Sequence, residues 1–167
     1  MASFDFKCME ILYSPLNTRI LPSFGFAFNA TNPQFATLGT PLSLPSTSPN
    51  PNITIPVIHD TTSTGSGIQI EKSGIYQISY TLTISLDNIP TTPETVRFFL
   101  TLNKPNNIIP GSGSAVRSNT ISTGEIDVSS GVILINLNPN DLIQIVPVEV
   151  LGTVDVRAAA LTVVQLG

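Results

Sequence analysis

Between Gly74 and Leu86 the chain alternates without a break: Tyr76, Ile78, Tyr80, Leu82, Ile84 and Leu86 are separated by Gln77, Ser79, Thr81, Thr83 and Ser85. A period of two puts all six large side chains on one face of a strand, whereas a helix would scatter them around its axis. A strand with one such face needs a second layer to cover it. The rest of the chain supplies candidates for that layer. Phe24, Phe26 and Phe28 alternate with Gly25, Ala27 and Asn29, the pattern expected when one face is buried. Further strands are marked by Phe98, Leu100 and Leu102, by Val132 to Leu137, by Leu142 to Val150 and by Val154 to Leu166, with turn-formers between them at Pro105-Asn106-Asn107, Pro110-Gly111-Ser112-Gly113 and Asn138-Pro139-Asn140-Asp141. Eight or more short strands, with no convincing helix and no repeat, predict an all-β jelly roll of two sheets.

Two segments ask for more than one covered face. Val132-Ile133-Leu134-Ile135 is apolar on both sides, so a second sheet or a neighbouring subunit is expected on the far side. Ala158-Ala159-Ala160 would let another backbone approach closely. Composition points the same way: 11% charged residues is under half the usual share of about 25%, and the mean hydropathy is +0.29. A surface that poor in charge is expected to be buried against copies or partners.

Residues 1–20 show no sustained period and are expected to form an arm, mobile or partner-bound, ahead of a domain spanning 21–167. Pro41, Pro45, Pro49, Pro51 and Pro56 fit either a long ordered edge loop or disorder. The net charge of −4, with seven scattered Lys and Arg, offers no basic stripe for nucleic acid. No apolar run approaches the roughly 18 residues that span a bilayer, and the start lacks a signal-peptide core, so no membrane partner and synthesis in a cytoplasm are expected.

Chemistry-bearing constellations are sparse. Cys8 is the single cysteine; it is read as a free thiol in the arm, with an inter-chain cross-link as the sharper alternative. His59 is the single histidine, so one chain cannot assemble a cupin-type metal site, and a loop residue beside Asp60 is the simpler reading. No Gly-x-Ser-x-Gly elbow supports a nucleophile. Gly111-Ser112-Gly113-Ser114 lacks the Lys and helix of a phosphate loop and reads as a flexible turn. Glu125 and Asp127 read as a solvated edge rather than an acid-base pair. Asn29-Ala-Thr and Asn52-Ile-Thr match a glycosylation pattern by chance. No enzyme activity, metal or cofactor is expected.

Gly74-Ile-Tyr76-Gln-Ile78, Leu134-Ile-Asn-Leu137 and the Asn138-Pro-Asn-Asp141 turn resemble the C1q and tumour-necrosis-factor jelly roll. Leu100-Thr-Leu102-Asn103 with Pro110-Gly-Ser-Gly-Ser114 is similar to the C-terminal domain of the collagen-like glycoprotein that forms the hair-like nap on Bacillus spores. From Phe24 onward, with Phe24-Gly-Phe-Ala-Phe-Asn29, Ser48-Pro-Asn-Pro-Asn-Ile-Thr54, Gly74 through Asn88 and Ser129-Ser-Gly-Val-Ile-Leu-Ile-Asn136, the chain resembles the exosporium basal-layer proteins of the Bacillus cereus group. That resemblance implies a C1q/TNF-like sandwich of two antiparallel sheets assembling as a homotrimer. It further implies a structural protein, made in the mother-cell cytoplasm and laid down in the exosporium basal layer at the spore surface. There it would anchor the nap glycoprotein beside other basal-layer proteins. A carbohydrate-binding jelly roll is the alternative, disfavoured by the lack of Trp and by two of three Tyr lying on the buried face. Gln77, Ser79, Ala158 and Ala160 become the trimer-interface candidates, with Tyr76, Ile78, Tyr80, Ile133, Ile135, Leu161 and Val163 filling the core.

Overall fold

The computed structural model describes residues 22–30, 32–45, 58–59, 61–86, 94–118 and 125–166; Cys8, Asp60, Asn52 and the expected 1–20 arm lie outside them. The described residues form β1 (Phe24–Asn29), β2 (Gln34–Phe35), β3 (Ile58–His59), β4 (Thr61–Ser63), β5 (Gly67–Ile70), β6 (Gly74–Leu86), β7 (Glu94–Leu102), β8 (Ser114–Ser118), β9 (Glu125–Leu137), β10 (Leu142–Leu151) and β11 (Val154–Gln165). They make two antiparallel sheets. One has the order β3-β1-β11-β6-β9, with β2 also pairing β11, and the other β4-β5-β10-β7-β8. Consecutive strands repeatedly switch sheets, so the fold is an all-β jelly-roll sandwich.

The alternating segment is the spine of the first sheet. Along β6, Tyr76, Ile78, Tyr80, Leu82, Ile84 and Leu86 are all buried and face the second sheet. They meet Val96, Phe98 and Leu100 of β7, Ile143 and Ile145 of β10, and Ile68 and Ile70 of β5 in one core. Leu161 and Val163 join that core fully, whereas Ile133 and Ile135 pack against it half-buried, because β9 is the margin of its sheet.

The phenylalanine row lies outside the core cluster. Ala27 is the fully buried member of β1; on the opposite side Phe24 and Phe26 are half-buried and Phe28 is buried, though outside that cluster. Register explains this: Ala27 lies opposite the core residue Leu161, and Phe28 opposite Ala160. The small side chains of β1 face the crowded interior, and the rings lie along the sheet's outer face.

Nor is the glycine-rich turn loose. Gly111 takes a φ of 81°, and the buried Ser112 donates its hydroxyl to the Ile109 carbonyl at 2.7 Å while accepting the Leu100 N–H at 3.0 Å. Residues 39–44 also enter the body. Gly39 and Leu42 donate backbone N–H groups to Pro147 and Ile145, beyond the reach of β5, and Leu42 and Leu44 are buried in the core.

The interior's polar chain runs through Tyr80. Its phenol donates to the Ser112 carbonyl (2.9 Å) and shares a 2.6 Å bond with Ser114 Oγ, which accepts from Ser129 Oγ at 2.6 Å. Room for the ring comes from Gly131, where a methyl group would approach the ring within 2.6 Å. Burial pushes the Tyr80 phenol above its ordinary pKa, a rise the Ser114 bond partly opposes. Tyr80→Phe therefore strips a buried carbonyl of its donor and should lower unfolding free energy by about 1 to 2 kcal/mol at neutral pH, measured by urea denaturation. The raised pKa means the fold holds the neutral phenol. Its contribution is full below the unfolded value of about 10 and is lost as pH rises beyond it, so wild type should lose more stability than the variant above that pH.

Candidate functional site

Alternation that buries one face of β6 exposes the other, and the same holds for its neighbours. Cross-strand register lines these outward residues into rows: Phe24, Val164, Gln77 and Leu134; then Phe26, Thr162, Ser79 and Val132; then Phe28, Ala160, Thr81 and Ser130. Ala158 lies opposite Thr83, in register after a bulge that absorbs Arg157. Gln77, Ser79, Ala158 and Ala160 thus share one face, on the side the alternation indicates.

The two margins of this face are apolar. On β9, Ile126, Val128, Val132 and Leu134 are each more than 60% exposed, with the second sheet lying on the other side of the strand. On β1, the Phe26 and Phe28 rings stack with centroids 5.3 Å apart. Between the rings and β6 runs an open groove of about 260 Å³, floored by Ala158 and Ala160 and bordered by Thr81 and Thr83. The alanines' small side chains leave the depth; the rings make its wall.

Three rows across four strands give twelve positions, and none carries a charge. Charge enters this face at its end, where Asp155, in one row with Ser85 and Ile126, pairs with Arg157 at 2.9 Å; Arg97 pairs with Glu149 on the other sheet. Such a face solvates poorly and is suited to contact with another apolar surface. The Phe row and the members Ile126 and Val128 were absent from the interface residues expected from sequence. The period-two run Ile126, Val128, Ser130, Val132, Leu134 was the available signal.

Other candidates gain no geometry. Among the described residues no three His, Cys, Asp or Glu side chains gather in a way that would hold a metal. His59 pairs its backbone with Phe24 in β3. Asp127 is exposed and accepts the Val128 N–H at 2.7 Å, which leaves it a strand-edge residue. No helix among the described residues is long and apolar enough to cross a membrane.

No protein-family model and no curated protein matches the chain. Solved structures do. Eiger TNF from S. frugiperda superposes with a TM-score of 0.64 at 12% identity, covering 88% of this chain and 92% of that one. The globular domain of zebrafish complement 1qA superposes with a TM-score of 0.55 at 13% identity, over 87% of this chain and 98% of that one. The chain has the C1q/TNF-like jelly-roll fold.

Proposed function

We propose that this chain is a structural protein that assembles as a homotrimer through the outer face of the β3-β1-β11-β6-β9 sheet, and that the trimer anchors a collagen-like nap glycoprotein in the exosporium basal layer of a spore. The carrying observation is the uncharged twelve-position patch with unlike apolar margins. An aromatic strip on β1 and an aliphatic strip on β9 match each other rather than themselves, which favours a head-to-tail contact that closes into a ring over a two-fold pair. Covering the four aliphatic side chains of β9 is worth on the order of 5 kcal/mol per protomer before association costs. The similarity to C1q/TNF-like domains supports a ring of three. The spore-surface location and the glycoprotein partner are supported by the sequence resemblance from Phe24 onward.

Light scattering of the purified chain at micromolar concentration should return three times the monomer mass. Ala160→Glu should shift it toward monomer, since the groove has no volume for the side chain and the carboxylate would be desolvated. Lys104→Glu, on an exposed loop, should leave the trimer intact. A monomeric wild type, or equal assembly of both variants, would remove the interface assignment.

Capture is tested separately by mixing the trimer with the nap glycoprotein, with and without its N-terminal anchoring segment. Retention only when the segment is present is the expected result. Spores that lack this protein and its close paralogue yet keep a normal nap would refute the anchoring role.

A further inference from the structure

On the opposite side of the sandwich, the outer face of the β4-β5-β10-β7-β8 sheet carries a cleft of about 380 Å³ lined by Arg97, Phe99, Gly111, Gly113, Ser114 and Ala115. Arg97 lies opposite Ala115 on edge strand β8, and Arg117, two residues further along β8, stands diagonal to it on the same exposed face. Two of the chain's seven basic residues are thus neighbours in a protein of net charge −4. Arg97 meets Glu149 only loosely, Nε to Oε2 at 3.8 Å with both side chains about half exposed. A pair so open to solvent contributes little, and the guanidinium fork remains able to take a carboxylate through two parallel N–H bonds.

Beside it, Phe99 is half-exposed. Gly113 presses against its ring, since a methyl group there would come within 2.6 Å. The turn that carries Gly113 is tied down through Ser112. A half-exposed ring next to an arginine, bordered by glycine and alanine, suits a ligand with one apolar face and one carboxylate. We propose that this cleft binds a carboxylated sugar: Arg97 takes the carboxylate, Phe99 packs against the C–H face of the ring, and Glu149 competes for Arg97. The site is independent of the assembly face, which lies on the other sheet.

Titration of the assembled protein with trigalacturonic acid, followed by amide NMR shifts, tests this. The expected result is saturable shifts at Gly111, Gly113 and Ala115 with maltotriose at least about tenfold weaker, the factor that one good charge-assisted contact supplies. Arg97→Gln should weaken the acid sugar about tenfold with an unchanged melting temperature, because the side chain is exposed. Glu149→Gln should tighten it a few-fold by freeing Arg97, an effect that damage to the fold would not produce. Equal binding of the neutral sugar, full binding by Arg97→Gln, tighter binding of a triaspartate peptide at the same amides, or no shifts at millimolar sugar would each overturn the proposal. None of these outcomes depends on whether the trimer forms.

Discussion

Everything in this molecule depends on keeping dry the six large side chains that β6 projects between the sheets. Tyr76 through Leu86 are too large and too regularly spaced to be covered by a loop; only a second sheet, with Phe98 and Leu100 at its centre, presents a matching surface. Once that layer is fixed, space is limiting on the strands alongside. Gly131 yields to the Tyr80 ring, and Ala27 rather than a phenylalanine occupies the inward position of β1. A close-packed interior has no room for more. The polar cost of burying Tyr80 is offset by a chain of hydroxyls, so the aromatic can lie deep without an orphaned oxygen.

The same alternation dictates what faces out. Once the interior has taken the even residues of β6, the odd ones form the middle of an external face, and the rings rejected from the interior of β1 line its margin. Charge is missing from the three middle rows of that face, with Asp155 and Arg157 at one end of it, and is present on the opposite sheet, where Arg97, Arg117 and Glu149 sit. The low overall charge content is therefore not spread evenly. Its absence is concentrated in those rows, which is why composition alone gives a hint of association but no address for it.

The core of β6 and β7 was legible in the sequence because each repeats every two residues over enough length to exclude a helix, whereas β11 changes phase at its bulge and β10 buries Ile143 to Pro147 in succession. Which face of a strand is buried is a different question, and periodicity does not answer it. For Phe24, Phe26 and Phe28 the alternation showed that one face is buried but not which; register against β11 places Ala27 inward and the rings on the other side, where Phe28 is nonetheless buried. β5, with four residues, and β8, with five, are too short to show a period and become strands only by pairing with β10 and β7. Glycine content made residues 111–114 look loose. The deciding contacts, from Ser112 to Leu100 and Ile109, are set by the fold and are not visible in composition.

Reading the aromatic residues by type had a similar consequence for the sugar question. Without Trp, and with Tyr76 and Tyr80 buried, the described residues offer no Trp or Tyr platform. Phe99 is the ring available to the proposed cleft because β7 alternates too: Phe98 and Leu100 are taken by the core, and the residue between them is left half-exposed on the outside. Gly113, next to the buried Ser112, lies against the ring, which lines the cleft with Arg97. The jelly roll thus separates two kinds of surface by geometry, a patch with no charge in its middle rows on one sheet and a cleft with an arginine and a half-exposed aromatic on the other, so a ligand in the proposed cleft would leave the proposed assembly face uncovered.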